Sequence, residues 1–345
     1  MESGMSPAEK KAILIAGGTV RLPRDLHLPF KPSRSTAGPG AGSVSVVISF
    51  EGVRVKKAIS REKGEFQLVE GPDGLRMLWQ GRPFIEHVDL QPTIYHSPEQ
   101  AFINLHQECI YDCKFCTSPR LPRDVTKGLD KKKVMRMVEQ VVGRDDLKCV
   151  SITSAVVGSP ERTVDELVEV VRMIRGLIGP DMPIGVEPYV SRLDDIDRLK
   201  EAGATEIKIN IETWDREIFR KVCGDMDIDW ILQALRHAVK VFGRWKVTTN
   251  IIFGLGETDE NVLEAVEELV EMGVVPSLRP LRVNDINRGP LIEALGAIAP
   301  VTPERILRLS IAAKEIYRKH GTGPMQYSTM CHACKCCDIV PFADI

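Results

Sequence analysis

Three cysteines, Cys109, Cys113 and Cys116, stand in a C-x3-C-x2-C spacing directly after the apolar stretch Ala101 to Leu105. Three thiolates this close on one loop can wrap one face of a cubane iron-sulfur cluster and leave one iron open, whereas a structural zinc site wants a fourth ligand nearby. The competing readings are a zinc loop or three buried thiols. The position of the motif, immediately after a strand in an alternating βα chain, is the context that favours the cluster. A second group, Cys331, Cys334, Cys336 and Cys337 with His332 among them, lies close to the chain end. Packed thiolates without a metal are an oxidation hazard, so the choice there is between zinc, a second iron-sulfur cluster and a redox or sulfur-carrying dithiol. Zinc usually draws its ligands from two separated pairs, and this single run favours iron-sulfur. Cys149 reads as a small buried hydrophobe in a strand, and Cys223 is left over.

The elements that must position these thiols alternate from residue 101 onward, short apolar strands with amphipathic helices, the pattern of a parallel sheet with right-handed crossovers. The six expected strands are Ala101 to Leu105, Cys149 to Thr153, Pro183 to Glu187, Glu206 to Ile211, Lys246 to Phe253 and Ser277 to Leu281. The expected helices run from Lys131 to Val142, from Thr163 behind a Thr163/Glu166 capping box, from Leu193 to Ala202 with Gly203 as C-cap, from Asp259 to Met272, and from Pro303 to His320. Six βα units predict an α/β chain built as a partial (β/α)6 TIM-like barrel, with function at the C-terminal strand ends where the first cysteine loop lies. Before it, Val44 to Phe50, Val53 to Ala58 and Glu65 to Val69, with a turn at Gly71 to Gly74, predict a small β-rich N-terminal extension that caps the barrel. Gly38 to Gly42 reads as a linker. The expected division is 1–98 for the extension, 99–320 for the barrel and 321–345 for the Cys-rich C-terminal tail.

Polar residues collect at other strand ends. Asn210 and Glu212 should share one face of strand four, since side chains alternate along a strand. Gly254-Leu-Gly-Glu-Thr258 follows strand five, where Gly254 and Gly256 let backbone approach a ligand and acidic residues open the next helix. Taken with the cysteine motif, these segments resemble the radical SAM superfamily, in its biotin and lipoyl synthase branch, over about residues 99 to 285. Phe115, before the last cysteine, fits the same habit, as do Val150 to Ser154 and Leu278 to Arg282. The resemblance implies a [4Fe-4S] cluster on Cys109, Cys113 and Cys116 that reductively cleaves S-adenosylmethionine to a 5'-deoxyadenosyl radical, which removes hydrogen from unactivated carbon. It also implies a SAM pocket lined by Asn210, Glu212, Gly254, Gly256 and Glu257. Where many members carry Gly-Gly-Glu for the methionyl ammonium, this chain has Ala155 to Glu161, leaving Ser154, Glu187 and Glu212 as candidates. Arg279 and Arg282 are candidates for a substrate or SAM carboxylate.

Strand five carries no cysteine, so the sulfur-donating cluster of biotin synthase cannot be built in the same way. The tail is then the expected seat of an auxiliary [4Fe-4S] cluster that gives sulfur to an alkyl radical. The resemblance points to an arrangement like that of two-component lipoyl synthases, acting on octanoyl-lysine. It implies as partners a reductant protein such as ferredoxin or flavodoxin, a lipoyl-domain carrier and a second radical SAM subunit. Two other readings stand beside this one. The first is rearrangement, carbon-carbon bond formation or methylation in cofactor biosynthesis, with the tail cluster as relay or substrate anchor. The second is a zinc-binding scaffold without catalysis.

Composition narrows the setting. The chain has 345 residues, 43% of them hydrophobic, and its 46 Lys and Arg nearly balance 48 Asp and Glu, so bulk charge gives no argument for nucleic acid or membrane partners. No apolar run is long enough to span a bilayer, and Ala12 to Ala16 is too short for a signal-peptide core, so a cytoplasmic location is expected. Seven of nine cysteines in two tight groups argue for metal rather than disulfides in that compartment.

Overall fold

The computed structural model describes residues 4–34, 42–122 and 128–345. Apart from Gly42, the stretch expected as a linker lies outside the described residues. The chain opens with a helix that the sequence reading did not anticipate, α1 (Pro7–Ala16), started by a capping box between Ser6 and Glu9 and by Pro7 in its first turn. Seven strands follow: β1 (Val20–Arg21), β2 (Ser33–Arg34), β3 (Val44–Phe50), β4 (Val53–Ser60), β5 (Phe66–Gly71), β6 (Gly74–Trp79) and β7 (Arg82–Gln91). They form one sheet in the order β2-β3-β4-β1-β5-β6-β7, and β7 also pairs with β3, so the sheet returns on itself. That closure pairs the far edge of β7 and leaves the two-residue β2 as the outer strand.

The second sheet is six-stranded and parallel, in sequential order: β8 (Gln100–Asn104), β9 (Cys149–Thr153), β10 (Ile184–Glu187), β11 (Glu206–Lys208), β12 (Val247–Phe253) and β13 (Val275–Pro280). Its crossovers carry α2 (Lys131–Glu139), α3 (Pro160–Ile178), α4 (Asp194–Glu201), α5 (Arg216–Val222), α6 (Ile228–Phe242) and α7 (Asp259–Met272). After β13 come α8 (Arg288–Leu295), α9 (Pro303–Lys319) and the short α10 (Met330–Cys334). The apolar stripes of α3, α6 and α7 pack with strand residues such as Ile152, Val186 and Ile251 into the core. Among the described residues no helix is long and apolar enough to cross a membrane.

Two local expectations are corrected. Helix α3 starts a turn before Thr163. Ser159 is its N-cap, accepting from Arg162 N at 3.2 Å, and Pro160 fills the first turn. Thr163 instead donates to the Ser159 carbonyl, and Glu166 reaches His106 at 2.6 Å. Strand β11 stops at Lys208, three residues short of the expected end. Glu212 then takes a left-handed backbone (φ 65°) while still bridging to Ile251, so strict alternation ends before the Asn210 to Thr213 segment.

Candidate functional site

The loop after β8 is held by its backbone. Ile110 N donates to Val156 O (2.9 Å), Lys114 N to Val222 O (2.8 Å) and Asp112 N to the Asp225 carboxylate (3.0 Å). Arg120 grips the inside of the turn, donating to the carbonyls of Cys113 and Cys116 at 3.0 and 2.8 Å. Phe115 is buried, and its carbonyl accepts from Asn287 at 2.9 Å. The thiols of Cys109, Cys113 and Cys116 are all half-buried. Desolvation raises the Cys109 thiol and pushes Cys116 up to about 11, with neighbouring thiols adding to both. Cys223, the leftover of the sequence, is buried at the C-cap of α5 beside Cys113. Its thiol is pushed well up by hydrogen bonding to Cys113 and by burial. Met226 sulfur lies 3.6 Å from Cys113 Sγ. Only tertiary contact brings these two into the group.

One face of the parallel sheet carries a second set of polar residues, arranged in two tiers. In the tier toward the C-terminal strand ends, Lys208 pairs with Glu187 at 2.9 Å and Asn210 donates to the same carboxylate at 2.9 Å. Asn210 Oδ1 accepts from Asn250 N (3.3 Å), and Asn250 Oδ1 accepts from Arg279 Nε (3.1 Å). Burial would raise the Glu187 carboxyl, but Lys208 and Asn210 hold it below the usual carboxylate range. Among the described residues no cation pairs with Glu212 at contact distance, and desolvation pushes it up to about 7. A non-glycine residue in the left-handed region with a half-buried, raised carboxyl is the kind of strained group that collects at ligand sites.

The other expected site residues are used differently. Glu257 turns back onto its own loop, accepting from Gly254 N (2.7 Å) and Leu255 N (2.9 Å) and pairing with Arg305 (2.8 Å). It braces the turn. Gly254 has φ 101°, and a side chain there would meet Val301 Cγ2 at 2.4 Å, so this glycine admits its own chain rather than a ligand. Gly256, at φ 121°, is more open. Ser154 Oγ donates to the carbonyl of Ala155 (2.8 Å). Arg282 reaches the Cys337 carbonyl at 2.8 Å, and Arg279 donates to Cys331 Sγ (2.5 Å) and pairs with Asp338 (2.8 Å). Both arginines face the tail.

The tail is not a loose appendage. Residues 328–332 cover the lower tier of the same sheet face. Glu206 accepts from Ser328 N, Ser328 Oγ and Thr329 N at 2.8 to 3.0 Å, and Ser151 Oγ accepts from Met330 N at 3.0 Å. Gly185 leaves room for Thr329, whose Oγ1 would stand 2.2 Å from a Cβ there. His332 Nε2 lies 2.9 Å from Ser277 Oγ and 3.3 Å from Thr248 Oγ1. The N-terminal sheet closes the other side, where Val47 packs on Cys334 and Cys336 and Lys56 N donates to Cys336 O (2.8 Å). Cys334 and Cys336 are buried, and Cys331 and Cys337 half-buried.

Among the described residues no group of three or more Cys, His, Asp or Glu side chains is arranged to hold a metal ion. What the tail offers is a donor set and its charge environment. The Cys331 thiol is raised by burial, against the pull of Arg279 and Lys208, and Cys337 is pushed up to about 11 by burial, against Arg282. Arg279 and Lys208 each have a carboxylate partner, whereas no carboxylate pairs with Lys56 or Arg282 among the described residues. Buried cations are stable when an anion sits beside them.

Comparison with known proteins agrees with this geometry. A model of the radical SAM superfamily matches residues 103–269. The chain is 26% identical to the lipoyl synthase of Pasteurella multocida over 185 residues, 50% of this chain and 53% of that one. It is also 26% identical to the biotin synthase of Hydrogenobaculum sp. over 212 residues, 59% of this chain and 62% of the other. It thus spans about half the length of the lipoyl synthases it matches. Among solved structures, methylornithine synthase shares the fold with a TM-score of 0.51 at 19% identity, covering 62% of each chain. Residues 103–269, with the cysteine loop at the end of β8, therefore match the radical SAM superfamily, and the curated relatives this chain resembles are lipoyl and biotin synthases.

Proposed function

We propose that this chain is a radical SAM enzyme that inserts sulfur at an unactivated carbon, in the manner of a lipoyl synthase acting on an octanoyl-lysine carrier. A [4Fe-4S] cluster on Cys109, Cys113 and Cys116 would supply the electron that cleaves S-adenosylmethionine to the hydrogen-abstracting 5'-deoxyadenosyl radical. The chain's own residues orient that substrate. Glu212, Asn210 and Gly256 are the proposed holders of the methionyl group, with Glu187 kept as a carboxylate by Lys208. Glu257 supports this pocket indirectly, by fixing the Gly254 to Thr258 turn. We take the six-stranded sheet as a partial (β/α)6 barrel over residues 99–320, flanked by the extension 1–98 and the tail 321–345.

The observation that carries the sulfur-insertion reading is the tail. The tail brings the Cys336 carbonyl onto Lys56 N and the Cys337 carbonyl onto Arg282, two cations with no carboxylate partner among the described residues. A four-thiolate [4Fe-4S] cluster carries a net charge of about −2, which matches them. Cys331, Cys334, Cys336 and Cys337 are its proposed ligands, with a ferredoxin or flavodoxin as reductant, a second radical SAM subunit as partner, and a cytoplasmic setting.

Anaerobic reconstitution of the wild type and of the triple alanine variant at Cys109, Cys113 and Cys116 tests the two-cluster reading. Loss of about half the iron and sulfide, with complete loss of 5'-deoxyadenosine formation, is the expected result. A colourless protein that binds zinc at both groups would instead make it a scaffold. Labelled cluster sulfide then decides the chemistry. Label in the product supports sulfur insertion, and product without label shifts the assignment to rearrangement, carbon-carbon bond formation or methylation.

A further inference from the structure

We propose that the N-terminal sheet is a structural wall of the tail centre, and that Lys56 is the cation it contributes to compensate an anionic cluster held by the tail thiols. The inference rests on the cluster reading of the tail and gives a role to a sheet outside the matched domain. Strand β4 lies directly against the tail. Lys56 N donates to the Cys336 carbonyl (2.8 Å), and Val47 of β3 packs on Cys334 and Cys336. Helix α1 locks the same segment from behind. Lys11 is fully buried, donates to the Lys335 carbonyl (2.7 Å) and pairs with Asp344 (2.7 Å).

The two adjacent lysines of β4 have separate tasks. Lys57 spends its ammonium on the carbonyls of Leu14 and Gly17 at the end of α1. Lys56 is 8% exposed, and its ammonium donates to the His96 carbonyl at 2.5 Å. Lys56 stands directly opposite Val47 in the β3–β4 register, so its side chain leaves the sheet on the face that packs on Cys334 and Cys336, and the other cation that acts on it is the Arg282 guanidinium after β13. His96, at 3.3 Å, cannot add an anion, and burial with Lys56 and Arg279 nearby holds its ring neutral. Lys56 and Arg282 repel one another, and neutral thiols do not offset that repulsion. Thiolates collected on a cluster turn the same geometry into attraction.

One electron added to such a cluster takes its charge from about −2 to about −3, so a nearby cation favours the reduced form. The test uses full-length protein with Cys109, Cys113 and Cys116 changed to alanine, so that tail iron is read alone. Lys56→Gln removes the charge and keeps a donor for the His96 carbonyl. It should lower the midpoint potential, followed by electron paramagnetic resonance, by about 59 mV, a tenfold change in the one-electron equilibrium. It should also speed iron loss to a chelator by about tenfold. Lys56→Arg should restore both. Full tail iron with an unchanged potential and chelation rate in Lys56→Gln would overturn the role of Lys56 and leave the cluster reading standing. Absence of iron in the parent background would overturn both.

Discussion

The loop bearing Cys109, Cys113 and Cys116 is tied down by backbone hydrogen bonds and keeps its thiols half-exposed, whereas the tail buries two of its thiols between two sheets and lines them with cations. A loop of the first kind can take up a cluster and still admit a substrate to an open iron. A site of the second kind excludes water and small molecules, and it has to be assembled from distant parts of the chain. Helix α1, β3, β4, β11 and the segment after β13 all touch the tail. The loop depends mainly on its own turn and on the α5 and α8 neighbourhoods.

The largest effect expected from breaking this contrast is chemical. Cys113→Ala should reduce 5'-deoxyadenosine formation to background, while Cys334→Ala should leave reductive SAM cleavage in place and stop product formation, both read by chromatography of single-turnover mixtures. SAM cleavage that survives Cys113→Ala would remove the division of labour. Next is the anchor of the tail. Glu206 is buried and holds four donors from Ser328, Thr329 and Lys246, so Glu206→Ala should cost about 3 kcal/mol in denaturant unfolding. In the folded, metal-free variant, Cys334 and Cys336 should alkylate much faster than in wild type, with Cys109 unchanged.

A third test concerns Glu212. Desolvation pushes its carboxyl up to about 7, so below that pH the group is protonated and cannot pair with an ammonium. SAM affinity measured by calorimetry should therefore rise with pH up to about 7 and level off, weakening about tenfold per unit below it. Glu212→Gln should bind more weakly and flatten the profile. A wild-type profile that is already flat would move the ammonium partner to Glu187, which Lys208 keeps ionised. The smallest effect is at the exposed brace of the loop. Asp112 pairs with Lys114 and Arg120 at the surface, and Asp112→Asn should change stability by about 0.5 kcal/mol or less. A much larger loss would mean that the loop is held by charge rather than by its backbone.

Much of this was legible before the structure, and the reasons are local. The C-x3-C-x2-C spacing needs only a few residues to declare itself, and β9 and α7 match their expected bounds because apolar runs and cap residues mark them. The sequence reading predicts no helix at α1, α5, α6, α8 or α10, and it starts α3 at Thr163, where a Ser-Pro pair outcompetes a plausible capping box. Motif position makes Glu257 an expected pocket residue, and guanidinium chemistry makes Arg282 a candidate for a substrate or SAM carboxylate. The structure turns one into a turn brace and the other toward Cys337, because a strand-end residue can face either its own loop or a neighbouring element.

The sequence by itself determined the chemistry of the parts: two thiol groups, an alternating βα order, and a set of strand-end polar residues. Tertiary structure decided their company. Residues 56, 206, 223, 282 and 331 are far apart along the chain, and sequence spacing carries no information about contacts made by long-range packing. Folding sets Cys223 beside Cys113, lays the tail across Glu206, and brings Lys56 to the tail thiols, and the charge at each centre follows from those contacts.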